Sequence, residues 1–108
     1  MRFKGCQYYS ITKSGNLVGE WINNESNNVV SSTYANLRLD EQNVTNDFTG
    51  NYTAFWNEGE SAVTGLMEIR NLGSNIYSIT YPHNDLQGIG FVVEDKLISY
   101  FERINPIA

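Results

Sequence analysis

Seven short polar clusters cut the chain into eight segments, and links this short leave little room for anything but antiparallel neighbours. The clusters fall at residues 13–16, 24–28, 41–47, 57–61, 72–75, 82–85 and 94–95. They are rich in Asn, Gly, Ser and Asp, which accept positive φ or bond to their own backbone in turns. Parallel strands need a crossover of a dozen or more residues, so short links favour a meander. The intervening segments are expected as strands at residues 7–12, 17–23, 29–40, 48–56, 62–71, 76–81, 87–93 and 96–104. No segment carries a helical stripe, and only the polar stretch 36–46 leaves room for a short helix.

Residue choice agrees with strands. Val, Ile, Thr, Tyr, Phe and Trp total 37 of the 108 residues, against 4 Ala and 3 Lys, so the usual filler of exposed helices is scarce. Period-2 alternation sorts the faces. Phe48, Gly50, Tyr52, Ala54 and Trp56 oppose Thr49, Asn51, Thr53 and Phe55. Val63, Gly65, Met67 and Ile69 oppose Thr64, Glu68 and Arg70, while Tyr77, Ile79 and Tyr81 oppose Ser78 and Thr80. The last two strands are apolar on both faces, and Ile89, Phe91 and Val93 cannot all point inward with their neighbours. An outer cover, such as a second subunit in a homodimer, is expected there.

Glycine recurs in four strands as apolar-x-Gly-x-large: Leu17 to Trp21, Phe48 to Tyr52, Val63 to Met67, and Leu86 to Gly90, whose last position breaks the pattern with a second glycine. Glycine inside a strand costs about 0.5–1 kcal/mol relative to alanine, so its repetition needs a cause. A tightly curling sheet supplies one, and an internal pocket would supply another. Eight antiparallel strands leave two raw edges unless the sheet closes. The expected fold is therefore all-β, an eight-stranded antiparallel up-and-down barrel formed by one domain over residues 1–108. An open, bent sheet completed by dimerisation is the alternative.

Seven Lys and Arg against twelve Asp and Glu leave a net charge of −5. An acidic surface argues against nucleic acid or an anionic membrane as partner. The chain has no apolar run of membrane-spanning length and no signal-peptide pattern at residues 1–10, so a cytoplasmic setting is expected. The single Cys6 cannot form an internal disulfide and is expected as a buried, inert thiol.

Gly19-Glu20-Trp21-Ile22-Asn23, followed by Phe48-Thr49-Gly50-Asn51-Tyr52-Thr53, resembles the opening two strands of the avidin/streptavidin family. The resemblance covers about a fifth of the chain. It implies a calycin barrel, a type of sheet that lipocalin-like proteins and metalloprotease-inhibitor barrels also use. It also implies that Asn23 and Tyr52 stand where the family bonds the ureido oxygen of biotin. Asn27 and Ala54 occupy positions where the family has serine, and Trp56 is the only other tryptophan. Biotin is accordingly expected to bind weakly or not at all.

Little in the chain suggests catalysis. His83, the only histidine, lies in the turn Pro82-His83-Asn84-Asp85, and zinc wants three or four ligands. No glycine-rich phosphate loop precedes a helix. Glu68 and Arg70 share the polar face of a strand as a possible surface pair, and one of Glu102 and Arg103 must face inward. No catalytic residue, metal or cofactor is expected. The aromatic residues on inward faces are the better candidates, because tyrosine and tryptophan pair an apolar body with a polar tip. Trp21, Asn23, Tyr52, Trp56 and Tyr77 form the candidate ligand set. The expected role is a non-enzymatic barrel that holds a small, mostly apolar molecule. The alternative is an interaction or inhibitor module with a packed core, acting through its outer face or loops.

Overall fold

The computed structural model describes residues 4–24, 30–37, 47–58 and 60–103. The strands are β1 (Lys4–Ile11), β2 (Leu17–Asn23), β3 (Ser31–Leu37), β4 (Gly50–Glu58), β5 (Ser61–Gly73), β6 (Ile76–Tyr81), β7 (Leu86–Val93) and β8 (Lys96–Arg103). Each pairs antiparallel with the next, and β8 pairs with β1, giving a closed up-and-down barrel. Among the described residues there is no helix. The expected fold class is the one observed.

Several strand boundaries differ from expectation, and two of the shifts have identifiable reasons. β1 begins three residues early because closure requires it to pair on both sides: Gly5 sits opposite Asn23 of β2 and Phe101 of β8. The fourth strand begins at Gly50 rather than Phe48. Asp47 Oδ1 accepts the Thr49 N–H at 2.8 Å, and this turn holds Phe48 in a buried position before the ladder starts. Asn36 belongs to β3, and residues 38–46, where a helix was considered, lie outside the described residues.

Turn chemistry sets each described reversal. Gly15 at φ 87° closes the β1–β2 link, where the Asn16 N–H bonds Thr12 Oγ1 at 3.1 Å. Asn16 Oδ1 also accepts the Leu37 N–H at 2.9 Å, tying this turn to the end of β3. Glu94 and Asp95 both have positive φ, the conformation of a two-residue hairpin whose twist matches the flanking strands.

Alternation packs the interior. Tyr9, Leu17, Tyr52, Met67, Ile69, Ile79 and Leu97 are completely buried and fill most of the barrel. At two of the strand glycines, Gly19 and Gly88, a Cβ would land on the backbone carbonyl oxygens of Tyr8 and Tyr100. Here glycine permits the close backbone approach that a curling sheet needs. Cys6 differs from expectation: its neighbours Gln7 and Tyr9 point in, so alternation turns the thiol outward, and it is exposed.

Candidate functional site

The barrel has two unlike ends. One carries the β1–β2, β3–β4, β5–β6 and β7–β8 links and is plugged by side chains. Phe48 and Tyr77 meet edge to face there, with ring centroids 6.1 Å apart. The Tyr52 hydroxyl donates to the Phe48 carbonyl at 2.9 Å, and the Tyr77 hydroxyl donates to Asp47 Oδ2 at 3.3 Å. Burial, acting with the nearby Asp47 carboxylate, raises the Tyr77 phenol above its ordinary pKa.

The other end, where β6 turns into β7, contains a recess of about 20 Å³. Trp21, Trp56, Leu86 and Phe101 form its apolar walls, and Gln7, Thr33 and Tyr81 its polar side. The rings brace one another: Trp21 on Phe101 with centroids 6.1 Å apart, and Trp56 on Tyr81 at 5.4 Å, both edge to face. Among the described residues β5 lines no part of the recess. It offers Gly65, and Asn84 from the β6–β7 turn reaches over that glycine in place of a side chain; a Cβ there would strike Asn84 Oδ1. Asn84 Oδ1 is itself buried with no hydrogen-bond partner among the described residues.

The polar side is an ordered relay. Thr33 Oγ1 donates to the Phe55 carbonyl at 3.3 Å, and a carbonyl can only accept. With its proton committed, Thr33 accepts from Tyr9 (3.3 Å), Tyr9 accepts from Tyr81 (3.1 Å), and Tyr81 accepts from Gln7 Nε2 (3.2 Å). The second Gln7 amide proton reaches Ser99 Oγ at 3.4 Å. The Tyr81 hydroxyl also donates toward Gln7 Oε1 at 3.3 Å, so its single proton is shared between Tyr9 and that amide oxygen. Burial raises the Tyr9 phenol above its ordinary pKa and holds Tyr81 well above it, the nearby Tyr9 adding to the second shift. Both phenols are neutral donors at ordinary pH. Trp21 Nε1 is buried in the wall of the recess with no partner among the described residues.

The five sequence candidates divide between the two ends. Trp21 and Trp56 line the recess, and Asn23 lies half-buried near its rim at the end of β2. Tyr52 and Tyr77 belong to the plugged end, so the structure does not bring them to the tryptophans. Gln7, Thr33 and Leu86 were not singled out from sequence, although Gln7 shares the period-2 face of Tyr9, the one signal that could have found it. Arg103, the inward member of the Glu102–Arg103 step, stands half-buried on β8 beyond Phe101. Arg70 reaches across to β4, donating to Asn51 Oδ1 at 2.8 Å and to the Gly50 carbonyl at 3.3 Å.

His83 is exposed in its turn. Among the described residues no group of three or more His, Cys, Asp and Glu could hold a metal, and no helix is long and apolar enough to cross a membrane. The closed meander is compatible with a calycin-like fold. In comparisons with known proteins, the chain matches no family model, no curated protein and no solved structure.

Proposed function

We propose that this barrel is a non-catalytic binding protein that takes the end of a small, mostly apolar molecule into the recess beside β6 and β7. The observation that carries this reading is the buried Trp21 Nε1 in the wall of that recess, unpartnered among the described residues. A buried N–H without a partner costs about 1–3 kcal/mol, and a ligand acceptor atom would relieve it. Gln7 Oε1 accepts from Tyr81 at 3.3 Å, and the second lone pair of this amide oxygen is the matching acceptor for a guest. The recess thus suits a group carrying both an acceptor and a donor next to an apolar body. Its polar atoms belong to an amide, a hydroxyl, a phenol and an indole. These orient a guest rather than exchange protons with it at neutral pH. At about 20 Å³ the space admits only the tip of a ligand, and the rest would rest on Trp56, Leu86 and Phe101 at the mouth.

The test is a thermal-shift and tryptophan-emission screen of small aromatic amides, phenols and alkyl alcohols. A true ligand at 100 times its Kd should stabilise the protein by about 2.7 kcal/mol. It should also shift the emission and bind more weakly to Trp21→Phe, which lacks the indole N–H. If no compound changes either signal, the recess holds only a water molecule, which needs about 10–15 Å³. A packed interior would then place function on the outer surface.

A further inference from the structure

We infer that the outer face of β7 and β8 is a two-fold interface with a second copy of this chain, in which the two β8 strands cross antiparallel. This inference is independent of the recess, which opens at one end of the barrel rather than on its side. The face carries Ile89, Phe91, Val93, Ile98 and Tyr100, between 38% and 52% exposed, with Ile76 of β6 beside them. The patch is continuous: Ile76 is opposite Phe91, and Phe91 is opposite Ile98. Tyr100 and Ile98 adjoin Cys6 and Tyr8 of β1. The six apolar side chains expose on the order of 500 Å², at the upper end of the largest patch on a typical monomer. A standard interface buries roughly 800 Å² per partner, so the polar side chains around this patch must join the contact.

Charge placement selects the occupant and its orientation. Lys96, Ile98, Tyr100 and Glu102 alternate onto one face of β8; Lys96 stands beside the exposed Glu94–Asp95 turn and Glu102 stands opposite Lys4 of β1, so one end of the apolar centre is net acidic and the other is balanced. A two-fold axis lying in the interface and perpendicular to the strands sets Lys96 opposite Glu102 of the second copy. The same axis sets Ile98 opposite Tyr100, and Phe91 opposite Ile89. An axis parallel to the strands would instead set Lys96 against Lys96 and Glu102 against Glu102. The face is therefore complementary to itself in one orientation, as an isologous dimer requires.

Sedimentation equilibrium on the wild-type chain at micromolar to submillimolar concentration should give a dimer. Phe91→Glu, at an exposed position, should give a monomer with an unchanged β-sheet circular dichroism spectrum and melting temperature under dilute conditions. Lys96→Glu alone and Glu102→Lys alone should each weaken the dimer about tenfold by opposing like charges. The double variant, which restores opposite charges across the axis, should recover it. A wild-type monomer throughout this range would overturn the interface. So would a Phe91→Glu chain that still dimerises. A double variant no better than the single ones would overturn the antiparallel orientation.

Discussion

The Tyr9 and Tyr81 hydroxyls meet 3.1 Å apart inside the barrel, although 72 residues separate them in the chain. They belong to β1 and β6, on opposite walls, so this contact spans the interior. It also joins the Thr33 and Gln7 sides of the relay into one network, and it makes the core responsive to alkali.

Stability should fall above about pH 10. In the unfolded chain both phenols lose protons near the ordinary tyrosine value, whereas burial keeps them protonated to higher pH in the fold. Below the ordinary value both states hold their protons and the contribution is complete. Above it the unfolded state releases protons that the fold retains, so stability declines as pH rises toward the folded pKa values. The limiting slope is about 1.4 kcal/mol per pH unit for each phenol. Urea unfolding midpoints from about pH 8 to about pH 11 will test this, and Tyr81→Phe should flatten the decline.

Trp21→Ala should cost about 3–5 kcal/mol by leaving a void between Phe101 and the recess. Trp21→Phe should cost far less, since it removes a buried donor that has no partner among the described residues and keeps a ring against Phe101. Chemical denaturation of both variants checks the order. Equal losses would mean that the indole N–H is satisfied in solution.

The glycines should not be equally replaceable. Gly19→Ala and Gly88→Ala drive a methyl group into rigid backbone carbonyls and should each cost more than about 2 kcal/mol or prevent folding. At Gly50 the nearest atom is the tip of Leu37, 3.0 Å from an added Cβ, and a side-chain tip can turn away. Gly50→Ala should stay within about 1 kcal/mol of wild type. Melting temperatures of the three variants decide this.

Biotin should give no heat at micromolar concentrations in a calorimeter. The Tyr52 hydroxyl that the avidin resemblance would assign to the ureido group is committed to the Phe48 carbonyl in the plugged half of the barrel. The recess beside the tryptophans is about 20 Å³, far below the 300–1,000 Å³ of an ordinary small-molecule pocket. Tight, saturable binding would show that the plug can open.

Strand number, order and inward faces were legible because alternation and turn residues report them directly. Tyr77, Ile79 and Tyr81 point inward together, as their spacing says. The grouping of the site was only partly legible, because sharing a face is not sharing a level. Tyr52 and Trp56, like Tyr77 and Tyr81, are four residues apart on one face, which in a strand is about 13 Å. That distance puts them at different ends of a short barrel. Gln7 and Thr33 were illegible for another reason. Polar residues read as outward until a partner across the interior is known, and their partners lie on β6, β8 and β4. The start of β1 carries no alternation at all, and only closure on β8 reveals it.

That closure orders events in time. Residues 4–10 of β1 pair with residues 96–102 of β8, so during synthesis the first strand must wait for the last to leave the ribosome. Until then β1 can be held only by β2, and the growing sheet keeps open edges that other nascent chains could join. The pairing that removes the edges is also the one of longest sequence separation, which makes it the slow step expected of non-local topologies. For this chain, the rate of sealing against the rate of encounter with its own copies decides the yield of folded protein.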